Sequence, residues 1–179
     1  MNVPEVMANW TGKLGYPVVD VVHQNQKLVI KQYKFNLDGK NLSSNDNDKT
    51  QWMVPITFKS RARIDGFLRN STLKFLNHTG YSTPLKSETE TKKVVLDTET
   101  TEVDFSQAAW INANYNSAGF YVTKLSDELL EKVLQNLDQL SVADRLKIVY
   151  DQLQLAKSGL GSTAAFFDML LKFKCENNF

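Results

Sequence analysis

The sequence has one cysteine, Cys175, and two histidines, His23 and His78. A single cysteine excludes an internal disulfide and a four-cysteine zinc cluster. Charge of one sign is missing too: 21 basic residues face 20 acidic ones, for a net charge of +1. Bulk electrostatics therefore draws the chain neither to nucleic acid nor to an anionic membrane. No stretch reaches the roughly 18 consecutive apolar residues of a membrane span. The opening Met1-Asn2-Val3-Pro4-Glu5 has no basic flank and no apolar run, so it does not read as a signal peptide. On this reading the sequence as it stands is a soluble chain without an address.

What is there is the composition of a folded protein. Of 179 residues, 42% are hydrophobic, which argues against wholesale disorder. A chain of this size buries roughly 70% of its unfolded surface, enough for a real core. Four N-x-S/T sites start at Asn9, Asn41, Asn70 and Asn77. Such sites act only on exposed loops in a secretory compartment. Asn41, Asn70 and Asn77 are the glycosylation candidates. Asn9 falls on a predicted helix beside a core tryptophan, where a glycan is awkward. A secretory or membrane-anchored parent and a cytosolic one both stay open.

Periodicity changes twice along the chain. Val3, Val6, Met7, Trp10 and Leu14 recur at helical spacing, which predicts a helix over residues 3–14, stopped by Gly15 and Pro17. From residue 18 the segments become short and β-like: Val18–Val22, then Lys27–Phe35 with Val29, Tyr33 and Phe35 on one face. Trp52, Val54, Ile56 and Phe58 alternate cleanly, and Pro55 among them predicts an edge strand or a bulge. Leu73–Leu76, Lys92–Leu96, Trp110–Ala113 and Phe120–Thr123 are further strand candidates. Turn signals separate them, and Asn41–Thr50 reads as a mobile hairpin loop. The pattern predicts an antiparallel β-sandwich.

Past residue 125 the helical period returns. Ser126 or Asp127 opens one helix through Leu137. Ser141 and Asp144 resemble a capping box opening a second, with Leu146, Val149, Leu153 and Ala156 on its apolar side and Gly159 at its end. Ser162 caps a third through Phe166, Met169, Leu170 and Phe173. Short loops make these helices antiparallel neighbours. The expected organisation is a lead-in helix over residues 1–17, a β-sandwich over 18–124, and helices over 125–179. Three amphipathic helices cannot cover all their apolar faces. A truncated domain, or a surface awaiting a partner, follows, with self-association through those faces as an expectation.

Several stretches together resemble a known family. Val6-Met7, Trp10-Thr11, Gly15-Tyr16-Pro17-Val18 resemble V-M-x-x-W-T-x-Q-x-G-[FY]-P-V at the end of the catalytic domain in aminopeptidase N-like zinc metallopeptidases, with Lys13 replacing the usual Gln. Trp52-Met53-Val54-Pro55-Ile56 resembles W-x-[IV]-P-[IL]. Trp110-Ile111, Asn114 and Gly119-Phe120-Tyr121-Val122 resemble W-[IV]-x-x-N…G-[FY]-[YF]-R-V without its Arg. Leu140-Ser141, Asp144-Arg145, Asp151, Leu155-Ala156, Gly159 and Ser162 match the opening of the family's helical C-terminal domain. The matches keep the family's order and cover nearly the whole chain. The resemblance implies the sandwich of such an enzyme, flanked by the last catalytic-domain helix and the first C-terminal helices. Its partners would be the parent's catalytic and helical domains.

The chemistry of such an enzyme is not in this stretch. A zinc site of this class needs H-E-x-x-H, two histidines one helical turn apart with a glutamate as general base. His23 and His78 stand far apart, neither followed by glutamate, and G-[AG]-M-E-N for the substrate amine is absent as well. The expectation is no catalytic residue, no metal ligand and no cofactor in this chain, with zinc belonging to the parent. Other constellations read more simply as structure. His23, His78 and Cys175 have no metal-ligand spacing. Cys175 is near a helix end without a positioned base. Lys59, Arg61, Arg63 and Arg69 read as a solvated strand face, Asp144-Arg145 as a helix start, and Tyr121 as core or interface rather than an oxyanion stabiliser. Two functions remain: a structural spacer excised from an aminopeptidase, or a free-standing sandwich that binds another protein. A novel small enzyme has no constellation behind it.

Overall fold

The computed structural model describes residues 3–38, 49–62, 89–105 and 108–174. Among these residues, seven strands form two sheets. Helix α1 (Val3–Thr11) precedes them, and α2 (Asp127–Leu134), α3 (Val142–Lys157) and α4 (Thr163–Leu170) follow. Strands β1 (Pro17–Gln24), β2 (Lys27–Lys34), β5 (Thr100–Asp104) and β7 (Val122–Leu125) make one sheet in the order β5-β2-β1-β7. Strands β3 (Val54–Ala62), β4 (Thr89–Leu96) and β6 (Ala108–Asn112) make the other, in the order β4-β3-β6. The mixed class, sandwich first and helices after, is the one read from the sequence.

The sandwich core sits between the sheets. Val19, Val21, Leu28 and Ile30 come from one, and Val54, Ile56, Phe58, Leu96 and Ile111 from the other, with Trp52 just ahead of β3. Alternation explains Trp52 to Phe58, whose even positions all point inward. The valine run of β1 has another cause. Val19 and Val21 face the sandwich, while Val18 faces outward into a second cluster with Phe35, Val122 and Leu155 of α3. A strand covered on both faces has no polar side, so it reads as a continuous apolar run.

Three expectations about the strands are corrected. The sandwich is not wholly antiparallel: β7 pairs with β1 in parallel, Val18 opposite Val122 through Val21 opposite Leu125. Strand β7 arrives from the other sheet, running the same way as β1, so no hairpin sets its direction. Pro55 does not mark an edge strand, since β3 is central. The pairing with β6 reaches only Lys59–Ala62, so a second ladder is not interrupted at Pro55, and the irregularity falls at Arg61/Ala62 instead. The last strand starts at Val122 because Phe120 and Tyr121 still belong to the preceding loop. Strand β5 escaped the sequence reading. Thr100-Thr101-Glu102-Val103-Asp104 has one buried residue, Val103, as suits an edge paired only to β2.

The helices start as read and end differently. Helix α1 stops at Thr11, where Gly12 donates back to the Ala8 carbonyl, and Gly15 (φ +92°) instead turns the chain into β1. Of its apolar stripe, Val6 is buried and Trp10 half-buried, while Val3, Met7 and Leu14 are exposed. Helix α2 ends at Leu134 rather than Leu137, which begins a short 3-10 turn. On α3, Leu146 is exposed, and the buried positions facing the sheet are Asp144, Asp151 and Leu155. The capping box of Ser141 and Asp144 and the Ser162 cap both form. The Leu73–Leu76 strand, the 41–48 part of the predicted hairpin loop, Asn41, Asn70, Asn77, His78 and Cys175 lie outside the described residues.

Candidate functional site

The most elaborate polar arrangement is the joint where α3 meets β7 and the loop between β6 and β7. Helical spacing puts Asp144, Lys147 and Asp151 on one side of α3, one turn apart. Asp144 and Asp151 are buried, an arrangement tolerated only when such groups are paired. Asp144 closes the capping box: it accepts from the Ser141 amide (3.3 Å) and hydroxyl (2.7 Å), and its own amide donates to the Ser141 hydroxyl. Its other oxygen crosses to the Asn116 amide at 2.6 Å. Asn116 and Ser117 take positive φ, so this carboxylate fastens a tightly turned loop to the helix start.

One turn on, Lys147 donates to the Tyr121 carbonyl (2.7 Å) and to Asp151 Oδ1. Asp151 Oδ2 accepts from the Thr123 amide at 3.1 Å. Thus one ion pair on α3 grips both a loop carbonyl and the second residue of β7. Burial pushes the Asp151 carboxyl up to about 6, against Lys147 and Thr123, which favour its charged form.

The loop itself is organised by Asn114 and Gly119. The Asn114 side chain accepts from the Gly119 amide (2.8 Å) and donates to its carbonyl (3.0 Å). A Cβ on Gly119 would lie 2.0 Å from Tyr121 Cε1, so only glycine fits. Tyr121 belongs to the core. Its hydroxyl donates to the Ala113 carbonyl at 2.8 Å, and burial raises its pKa. Phe120, next to it, is 72% exposed. It meets Trp10 and Tyr16 edge-on, at 6.4 and 5.3 Å between ring centres.

The other family-motif residues are dispersed by role. Trp10 joins α1 to the sandwich through Nε1 to the Met53 carbonyl (2.9 Å) and a ring contact with Trp52. Asn9 accepts from the Met53 amide, so the side chain that a glycan would need is already engaged. Pro17 starts β1 and Pro55 is exposed on β3. Trp52 and Trp110 are buried, Trp110 against Val133 and Leu140, and both indole N–H groups lack an acceptor among the described residues. Arg145 donates to the Leu140 carbonyl (2.7 Å), which makes Asp144-Arg145 a helix-start device. His23 is half-buried on β1, away from any group of three His, Cys, Asp or Glu side chains suited to a metal among the described residues. Lys59 lies over the Tyr115 ring at 4.6 Å.

Gln32 was missed. Buried on β2, it donates to the Trp52 and Thr98 carbonyls (2.9 and 2.8 Å) and accepts from the Trp52 amide (2.8 Å), tying the two sheets together. A polar residue at an inward position between Ile30 and Lys34 was the one available signal. Chemically, the carboxylates and ammonium of the joint bind backbone groups and each other.

Comparison with known proteins places these features. Residues 110–179, from Trp110 through the joint and all three C-terminal helices, match the ERAP1-like C-terminal domain. Over 99% of its length the chain is 27% identical to Aminopeptidase 2, mitochondrial, of Saccharomyces cerevisiae and 29% identical to Aminopeptidase M1-A of Oryza sativa subsp. japonica. Over 92% it is 28% identical to Puromycin-sensitive aminopeptidase of Caenorhabditis elegans. It spans only 16–18% of the length of these relatives. Along nearly its whole length, then, the chain is similar to aminopeptidases, and its C-terminal part is similar to their ERAP1-like C-terminal domain.

Proposed function

We propose that this segment is a non-catalytic spacer of a zinc aminopeptidase, a sandwich that holds the parent's catalytic part on one side and its helical C-terminal part on the other. The observation that carries this reading is the joint at α3. Buried Asp144 and Asp151, with Lys147, fix the first helices to β7 and its loop through backbone groups, which sets a direction rather than a flexible hinge. Beside the same loop, exposed Phe120 meets Trp10 of α1, and Met7 and Leu14 are exposed as well, apolar groups suited to a catalytic domain packing on α1.

Removal of N-terminal residues from peptides would be the work of the whole parent. Its zinc would need the H-E-x-x-H sequence that this segment lacks. The donor set here does not fit the ion, since His23 has no second histidine a turn away. A panel of fluorogenic aminoacyl substrates, with and without added zinc, tests the reading. The expected outcome is turnover no higher than a buffer blank. Zinc-dependent turnover that survives repurification and vanishes with chelator would overturn it.

The alternative is a free-standing protein-binding sandwich, favoured by the 72% exposure of Phe120 between two aromatic neighbours. Mixing the chain with a separately produced catalytic portion of its parent distinguishes the two. Association weakened by Phe120→Ser supports the spacer, and no association favours the free module.

A further inference from the structure

We infer that the joint between α3 and the β6–β7 region is a binding site for one buried water molecule, held by Asn112, Thr123 and the α3 carboxylates. Two side-chain atoms there, Asn112 Nδ2 and Thr123 Oγ1, are buried without a hydrogen-bond partner. Each residue is 7% exposed. Both line the same small space, together with Asp144, Lys147 and Asp151, and its size admits about one water.

The chemistry of the lining selects the occupant. Asn112 Oδ1 already accepts from the Asn114 amide at 3.1 Å, which fixes the amide orientation and leaves Nδ2 as a donor. The Thr123 hydroxyl lies close enough to Asp151 to favour its charge, without the geometry of a hydrogen bond. A cation is redundant, because the Lys147 ammonium already sits on Asp151. An anion is repelled by two carboxylates. An apolar occupant would leave the Asn112 amide unpaired, with its full desolvation cost. Water alone accepts from Asn112 and donates to a carboxylate lone pair in the same place. It would complete the helix–sheet joint as a third kind of contact, beside the ion pair and the backbone grips.

Nuclear magnetic resonance on the isotope-labelled chain tests this. The Asn112 side-chain amide protons should show cross-relaxation with water of the sign given by a long-lived contact. Oxygen-17 relaxation dispersion, which a rapidly exchanging threonine hydroxyl cannot mimic, should count one long-lived water fewer in Thr123→Ile, whose ethyl group in place of the hydroxyl fills the space. If Thr123→Ile fails to fold, the wild-type cross-relaxation decides alone. Asn112 amide protons without a long-lived water contact, or an unchanged water count in a folded Thr123→Ile, would overturn the site.

Discussion

Lys147 and Asp151 stand one turn apart on α3, and their ion pair bridges to two different backbone groups, the Tyr121 carbonyl and the Thr123 amide. The pair therefore joins two stretches of chain that are separate in sequence, α3 and residues 121–123.

The first consequence is a pH dependence. Burial raises the Asp151 pKa from 3.8 to about 6, so the folded state holds this proton more tightly than the unfolded one. Stability from that proton is fully present below about pH 4 and is lost as pH rises through about 6, on the order of 3 kcal/mol. Urea unfolding of wild type and Asp151→Asn between pH 4 and 7 should show this slope in wild type alone. Identical slopes would remove Asp151 as the cause.

Lys147→Met keeps the aliphatic stem and removes the charge. Asp151 then stays buried without its cation, and the Tyr121 carbonyl loses a donor. A loss of roughly 3 kcal/mol is expected at pH 7, shrinking at pH 5 where Asp151 takes up a proton. Denaturation midpoints at the two pH values check it. A loss independent of pH would point to packing of the stem instead.

Gly119→Ala tests the loop. The new Cβ would overlap the Tyr121 ring, so either the ring moves or the loop does. A cost of about 2 kcal/mol or more is expected, with a changed near-ultraviolet signal for tyrosine. Adding Tyr121→Ala to the same chain removes the obstacle. The penalty of the alanine at position 119 should then largely disappear, and a full penalty would contradict the overlap.

Gln32→Leu leaves the Trp52 amide and carbonyl without their side-chain partner inside the sandwich. The expected destabilisation is about 2–4 kcal/mol, more than an inward leucine recovers by burial. Hydrogen exchange at the Trp52 amide gives a second readout, since that proton should exchange faster. Unchanged protection would mean the amide is held otherwise.

Exposed Met7, Leu14, Phe120, Phe167 and Leu171 favour association of the isolated chain. Light scattering at tens of micromolar should show a mass that rises with concentration. A strictly monomeric mass would count against these surfaces as docking faces.

The fold was legible where burial is periodic. Trp52 to Phe58 and the Ser141 cap announced themselves, because alternation and capping are local properties. The partners were not legible. Nothing local tells Val122 that it will lie beside Val18, so the parallel pairing stayed hidden, as did the edge strand β5 with its single buried side chain. The joint was half visible: Asp144 reads as a cap and Asp151 is marked by resemblance, but no local pattern shows that Asp151 is buried until Thr123 and Tyr121 are brought to its helix. Family resemblance marked Gly119 and Tyr121, and only the close approach of the ring to the glycine explains why they go together.

The parallel pairing of β1 and β7 also decides how this domain answers a pull. Tension applied through α1 enters β1 at Pro17, and tension from the helices enters β7 at Leu125, at opposite ends of neighbouring strands that run the same way. The strands must then slide past each other, straining all four registered pairs together rather than opening them one by one. The Lys124–Asp20 ion pair, at 3.0 Å, resists the same sliding. Force between α1 and the C-terminal helices therefore meets this ladder in shear.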